Sequence, residues 1–407
     1  MNRNKNSKTK LKFIDLFCGI GGFHYALNEL GHECVFASDI NKPACKVYEI
    51  NHKLTPAGDI TQILVENIED HDILCAGFPC QAFSNAGHKN GFEDTRGTLF
   101  FNIAKIIDEK NKKGTAPKYI ILENVKHLVR HDNGMTYKII KESLNELGYS
   151  LPSKDIIMSP HMFGIPQRRE RIYILGIKRD ENFKDYNLDY NYFSLPQSNK
   201  KIELKNILDN EVVENNEKYL ISEYEKNVLN AWDVFKHRFY SSMGGFPVWI
   251  DYLDYSGDYS GFPKWKIDYV IKNKKLYDNN KDAINSWISE FKVRDFKTRD
   301  RKFEWQAGKN FNSVWDTFIQ LRQSGIRCKK PDYFPTLVAI VQTPIIGKFK
   351  RRLTPREASR LQSFPDKFEL DTNEHQAYKQ LGNSVNVDVV KYLAGKLLNY
   401  QNEYNTL

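Results

Sequence analysis

Between residues 12 and 177 the sequence predicts an α/β fold whose parallel sheet is wound by helices, and two observations lead to it. Short apolar runs alternate with stretches of helical periodicity, which is the pattern of strands joined by crossover helices. The chemically distinctive residues follow the runs that end at Phe17, Ala76 and Leu122. Ligands of such sheets gather at those carboxyl ends.

In order, a strand at 12–17 leads to a helical stretch at 26–30, and a strand at 34–38 to a helix at 44–51. A strand at 73–76 precedes a helix at 98–109, a strand at 119–122 precedes a helix at 136–147, and a strand at 172–177 closes the series. From about Asp180 the chain becomes rich in Asn, Lys and Tyr, and all six tryptophans (232, 249, 265, 287, 305 and 315) lie from there to Trp315. A second, smaller domain is expected there. Its turn signals, Gly244-Gly245-Phe246-Pro247 and Gly261-Phe262-Pro263, predict mostly irregular and β structure rather than a long helical bundle. Residues 387–398 regain apolar helical periodicity, so the chain is expected to return to the first domain. The expected division is 1–186 plus 377–407, with 187–376 as the second domain.

At 407 residues the chain exceeds what one growing core accommodates, which fits two domains. No apolar run approaches the roughly 20 residues that span a bilayer. The basic start at 2–12 lacks the apolar stretch and cleavage site of a signal peptide, so an intracellular protein is expected. Six cysteines without CxxC spacing or a histidine cluster indicate neither zinc nor a disulfide framework. A formal charge of +9 suits a polyanionic partner without requiring one.

The loop Asp15-Leu16-Phe17-Cys18-Gly19-Ile20-Gly21-Gly22-Phe23 joins the first strand to a helix, and its glycines let a ligand approach backbone N–H groups. A dinucleotide fingerprint needs glycine at 24, where the chain has His24. Asp39 ends the second strand where an acidic residue takes ribose hydroxyls, and Asp59 is placed to take an adenine amino group. The set suits S-adenosylmethionine, whose carboxylate would meet the N–H groups; the plain alternative is a structural turn with solvated aspartates.

In Gly77-Phe78-Pro79-Cys80-Gln81 a thiol follows proline directly after a buried strand. It is a nucleophile if the turn is open and electropositive, and an inert buried cysteine otherwise. Glu123 follows the apolar strand Tyr119-Ile120-Ile121-Leu122, a place that raises a carboxyl pKa or merely exposes it to solvent. Arg169 and Arg171 share one face of the last strand, since strand side chains repeat every second residue. They hold an anion or a base carbonyl there, or are plain surface charges.

Six ordered blocks carry a resemblance: Asp15-Leu16-Phe17-x-Gly19-x-Gly21-Gly22, Gly77-Phe78-Pro79-Cys80-Gln81, Glu123-Asn124-Val125, Gln167-x-Arg169-x-Arg171, Arg352-Leu353-Thr354-Pro355-Arg356-Glu357 and Gly382-Asn383-Ser384-Val385. Over about 12–178 and 336–398 the chain resembles the DNA (cytosine-5)-methyltransferases, especially those of bacterial restriction-modification systems. The resemblance implies a Rossmann-like methyltransferase domain with a target-recognition domain. S-adenosylmethionine would donate the methyl group and leave as S-adenosylhomocysteine. It assigns the cofactor to Phe17, Gly19, Ile20, Gly21, Gly22, Asp39, Ile40, Asp59, Ile60, Pro79, Leu99, Asn383 and Val385. Cys80 would add to cytosine C6, Glu123 would contact N3 and the exocyclic amine, and Arg169 and Arg171 would orient the ring and support the cysteine turn. No metal is implied.

The target cytosine must leave the duplex to be reached. The loop 84–96 would close over it, with Ser84 on the DNA; the residue that would enter the vacated helix falls at Ala86, a departure from the polar residue of relatives. Gln323 and Arg327, before Thr336-Leu337, are candidates for base contacts, with Thr336 beside the DNA. Lys329, Lys330, Lys348, Lys350, Arg351 and Arg352 are candidates for phosphates. The tryptophans are expected to form the core of the second domain rather than a stacking surface. The resemblance further implies a monomer in the bacterial cytoplasm that acts on double-stranded DNA, with a cognate restriction endonuclease in the same system but no obligatory contact with it. Competing readings are a transfer-RNA cytosine-5 methyltransferase and a non-catalytic DNA-binding protein on the same scaffold. The long insert before Gln323 argues against the first, and the retained Cys80, Glu123, Arg169 and Arg171 against the second.

Overall fold

The computed structural model describes residues 9–79, 99–181, 183–185, 187–195, 203–209, 217–239, 245–337 and 342–404. Cys80, Ser84 and Ala86 lie outside them. The chain divides into two compact units, Met1–Glu203 with Ala358–Leu407, and Leu204–Glu357. The sequence reading places its breaks at 186/187 and 376/377.

In the first unit, β1 (Lys12–Leu16), β2 (Glu33–Ser38), β3 (Ile73–Gly77) and β4 (Tyr119–Val125) run parallel in the order β2-β1-β3-β4. Helices α1 (Gly22–Glu29), α2 (Lys42–His52), α3 (Leu99–Lys112) and α4 (Met135–Glu146) alternate with them. Central parallel strands are covered on both faces and therefore read as continuous apolar runs. Ile73, Leu74, Cys75 and Ala76 of β3 and Ile120, Ile121 and Leu122 of β4 are all fully buried. β5 (Tyr149–Pro152), β6 (Ile156–Met158), β7 (Arg171–Lys178) and β8 (Asn187–Leu188) complete an eight-stranded sheet, in which β7 pairs antiparallel with β4, β5 and β6. The register sets Val125 opposite Arg171 and Glu123 opposite Tyr173. It thus brings the start of β7 to the end of β4. The expected C-terminal helix spans Val387–Tyr404, with Val389, Val390, Leu393, Ala394 and Leu397 fully buried.

The second unit carries a six-stranded sheet of short strands. These are β9 (Val248–Trp249), β10 (Lys302–Gln306), β11 (Phe318–Arg322), β12 (Gly325–Lys329), β13 (Ile345–Ile346) and β14 (Arg351–Arg352) in the order β14-β13-β11-β12-β10-β9. Beside this sheet and its turns stand helices Glu223–Phe239, Lys264–Asn279 and Lys281–Phe291, which the turn signals did not reveal. Trp232 and Trp287 are fully buried, and Trp232 stacks on Phe303 at 4.9 Å. Trp305 and Trp315 pack at the edge of this core. Trp265 is an exception to the core reading, being 57% exposed.

Behind the β1–α1 loop, the His24 and His52 rings stack at 4.0 Å. Nδ1 of His24 lies 2.7 Å from the Tyr48 hydroxyl, and Nε2 of His52 lies 3.3 Å from the Ile20 carbonyl oxygen. Burial lowers His24 to about 3, with His52 adding to the shift, and lowers both His52 and His71 to about 4. In the unfolded chain these imidazoles take up protons near pH 6.5, whereas the folded protein resists until pH 3–4. Their contribution to stability is therefore complete above pH 6.5 and is lost as pH falls below it, at about 1.4 kcal/mol per pH unit for each imidazole. Denaturant unfolding measured stepwise from pH 6.5 to 4 is expected to show this slope, and His71→Gln is expected to remove roughly one third of it. A wild-type slope that does not change in His71→Gln would contradict the assignment.

Candidate active site

The β1–α1 loop is shaped by backbone conformation before any ligand is considered. Phe17 adopts a left-handed φ of +56°, unusual for a bulky side chain and a mark of a constrained functional turn. A Cβ on Gly21 would lie 2.2 Å from His52 Nε2, and one on Gly22 would lie 2.6 Å from Val385 Cγ2. These two glycines are fixed by protein packing. Gly19 is different: nothing lies within 4 Å of its Cβ position, so its bare face leaves space beside the loop. Asp39 accepts the Gly19 N–H at 2.8 Å on Oδ2 and the Asn41 N–H at 2.7 Å on Oδ1. A carboxylate has lone pairs left after two such bonds, so Asp39 can hold the loop and still accept hydroxyls.

A cavity of about 420 Å³ opens at these strand ends. Phe17, Gly19, Gly22, Asp39 and Ile40 line one part, Pro79, Leu99, Asn383 and Val385 another, and Glu123, Arg169 and Arg171 a third. The volume falls in the range of about 300–1,000 Å³ common for small-molecule clefts. Ile40 is 73% exposed directly after Asp39, an apolar surface beside a hydroxyl acceptor. Ile20, Gly21, Asp59 and Ile60 do not line the cavity. Ile20 and Ile60 are buried, and Asp59 caps the short turn Ile60–Gln62 by accepting the Thr61 N–H and hydroxyl at 2.9 and 2.8 Å.

Glu123 is buried, and its carboxylate meets Arg171 Nε at 3.0 Å. Burial raises its pKa above the usual carboxyl value, against the opposing pull of Arg171 and Arg169. Desolvation therefore outweighs the ion pair. Arg169 is buried more deeply, and its Nη2 donates to the carbonyls of Gly382 and Ser384 at 2.8 and 3.0 Å. Burial lowers its pKa to about 9, with Arg171 adding to the shift, so it stays charged at neutral pH. Although both arginines line the cavity, they do different work: Arg171 faces the acid, and Arg169 clamps the segment that supplies Asn383 and Val385.

Asn124 also lines the cavity, and its motif position alone gives it no role. Its Nδ2 donates to the Phe78 carbonyl at 2.8 Å, tying the end of β4 to the turn that leads into Cys80. The alternation of a strand sends it to the opposite side from Glu123, which was the available signal. Lys379 and Gln380 also line the cavity, from the helix Glu374–Asn383, and no motif marked them. Burial is the largest cause raising the pKa of each of the five described cysteines, 18, 34, 45, 75 and 328. None of the described thiols is poised as a thiolate.

In the second unit, Gln323 is exposed in the turn between β11 and β12. Arg327 donates from Nε to Glu304 at 2.9 Å, and Thr336 is half-buried before the buried Leu337. The phosphate reading fails at Arg351. It is 2% exposed and forms a two-pronged ion pair with the fully buried Glu357, at 2.8 and 2.7 Å. Arg352 is likewise held by Glu225, at 2.5 Å. A charge run in sequence does not distinguish buried ion pairs from a solvated face.

The model of the C-5 cytosine-specific DNA methylases matches residues 11–399. The chain is 33% identical over 396 residues to the Type II methyltransferase M.HhaI of Haemophilus parahaemolyticus, covering 97% of each protein. It is 36% identical over 392 residues to the Type II methyltransferase M.HaeII of Haemophilus aegyptius, covering 96% of this chain and 94% of that one. Among solved structures, a putative DNA modification methyltransferase encoded within an Escherichia coli prophage aligns with a TM-score of 0.57 at 20% identity, covering 97% of this chain and all of the other. The Dnmt2 methyltransferase of S. pombe aligns with a TM-score of 0.56 at 23% identity, over 97% and 100% of the two chains. At these identities the structures speak to fold alone. The match along nearly the whole chain, together with Type II relatives above 30% identity, establishes that this protein belongs to the C-5 cytosine-specific DNA methylase family.

Proposed function

We propose that the cavity at the ends of β1 to β4 performs methylation of cytosine C5 in duplex DNA, as expected of a modification enzyme in a restriction-modification system. The observation that carries this reading is the buried Glu123 carboxyl facing Arg171 on the wall of the cavity that the glycine loop also lines. S-adenosylmethionine fits the residues present, and when bound it supplies the electrophilic methyl group. Asp39 would hold ribose hydroxyls, and Ile40 with Phe17, Pro79 and Leu99 would cover apolar surface. The space beside Gly19 would admit the amino-acid end.

Cytosine C5 is a weak nucleophile. In this reading the Cys80 thiolate adds to C6 and makes the ring enamine-like at C5. Glu123, whose pKa burial raises, donates toward N3 as charge develops there, while Arg171 orients both the acid and the ring. After transfer, loss of the C5 proton and expulsion of the Cys80 thiolate restore the 5,6 double bond. Arg169 acts by position, through the carbonyls it clamps. Extrusion of the base costs a few kcal/mol, offset by pocket contacts. Gln323, Arg327, Thr336 and Ser84 are the proposed DNA contacts. Gln323 is the best placed of the described three, because its side chain is exposed at a hairpin turn.

Two measurements check this reading. Duplexes carrying 5-fluorocytosine in place of cytosine should trap a covalent complex with the unaltered protein in the presence of S-adenosylmethionine, and Cys80→Ala should form none. Labelled methyl transfer to RNA but not to duplex DNA would sink the reading. The methyl-transfer rate should also fall as pH rises through the Glu123 pKa, a limb displaced above 4.5. Because Arg171 lowers that pKa, Arg171→Gln should move the limb to higher pH, and Glu123→Gln should abolish it at a cost of about 10²-fold or more in rate. A limb in the same place for Glu123→Gln would remove Glu123 from the role of acid.

A further inference from the structure

A cleft of about 700 Å³ lies within the second unit, in sequence that none of the six motif blocks covers. Trp249, Tyr252 and Trp265 supply rings to its wall, and Lys266, Arg299, Arg301 and Lys302 supply cations. Gln323 and Ser324, the turn between β11 and β12, close one side. The turn is seated there by sterics. Gly325 has φ +120°, and a Cβ on it would lie 2.9 Å from both Cβ and the carbonyl oxygen of Lys302.

The charges do not cancel. Arg301 pairs with Asp251 at 3.2 Å and Arg299 with Asp300 at 3.4 Å. Lys302 shares Glu304 with Arg322 and Arg327, at 3.7, 3.0 and 2.9 Å. Lys266 adds a sixth cation against these three carboxylates. One buried donor at the same wall, Trp249 Nε1, has no hydrogen-bond acceptor among the described residues. A cleft with this excess of cations is suited to acceptor-rich anions.

Base stacking on these rings would compete with lysines that already stand over Trp249 and Tyr252, while the Trp265 ring is exposed. Lys302 Nζ stands 4.3 Å above the Trp249 ring, and Lys266 Nζ stands 3.7 Å from the Phe262 ring centre and 5.1 Å from that of Tyr252. The rings hold the ammonium groups at the cleft wall. We infer that this cleft binds the phosphodiester backbone of duplex DNA next to the base-reading turn at Gln323. It anchors the strand so that the turn meets base edges in register. The inference rests on the DNA reading above and adds to it a phosphate site made from residues of this chain's own insert.

Phosphate contacts position without specifying sequence, and each one contributes about 0.9 to the slope of log K against log salt. The test measures binding of a labelled 30-base-pair duplex of mixed sequence across a salt series, with S-adenosylhomocysteine present. Lys266→Gln with Lys302→Gln is expected to reduce the slope by about 1.8, while Lys266→Arg with Lys302→Arg retains it. Circular dichroism of both double variants controls for folding, and the arginine pair separates lost charge from lost packing. An unchanged slope in the folded glutamine variant would overturn the inference, as would a loss confined to single-stranded DNA or to duplex RNA. Failure of the underlying DNA reading would be seen separately, as an unaltered protein that neither binds the duplex nor methylates any duplex DNA, and it would remove this inference with it.

Discussion

A single buried guanidinium organises the reacting unit. Burying an unpaired charge costs several kcal/mol, so Arg169 is tolerable in the interior only because fixed acceptors surround it. Two of them are the carbonyls of Gly382 and Ser384, more than 200 residues later in the chain. This interaction holds the returning segment against the entry to β7. It thereby sets Asn383 and Val385 on the wall of the same cavity as Glu123 and Arg171. Val385 in turn packs where a side chain on Gly22 would otherwise stand, so the shape of the β1–α1 loop depends on the clamp as well.

Desolvation and charge compete at the acid. Arg171 at 3.0 Å should favour the carboxylate, and in water it would do so weakly. In the cavity wall, loss of hydration outweighs it and the Glu123 pKa rises. In the proposed reaction the pair would serve as a poised acid: burial raises the pKa and the guanidinium limits the rise. Such a group would donate toward a ring nitrogen and still take up a proton again. Asn124 contributes from the other side of β4, fixing the turn before Cys80 through the Phe78 carbonyl.

Much of the first unit was legible because parallel strands buried on both faces leave unbroken apolar runs. Ile73 to Ala76 and Tyr119 to Leu122 could be read directly, and the polar residues after them marked the ligand end of the sheet. The helices of the second unit were not legible. Lys264–Asn279 is rich in Lys, Asn and Tyr and buries only a few side chains, so its periodicity is faint. Charge runs were the least readable feature. Arg351 and Lys302 are similar basic residues in sequence, yet one is sealed against Glu357 and the other caps an indole at the edge of a cleft. Only three-dimensional burial separates them. Asp59, expected at an adenine amino group, caps the short turn that follows it through one carboxylate oxygen, a second use that its place after a glycine did not announce.

In the proposed reaction Arg169 would act by fixing the 382–385 segment to the wall of the cavity that Glu123 and Arg171 also line. Arg169→Lys keeps the positive charge and removes the planar fork that spans two carbonyls. Calorimetric titration with S-adenosylhomocysteine tests it most directly. The expected result is an affinity at least about tenfold weaker, some 1.4 kcal/mol, in a protein whose near-ultraviolet circular dichroism remains native. A natively folded Arg169→Lys protein that binds S-adenosylhomocysteine as tightly as the unaltered chain would contradict it.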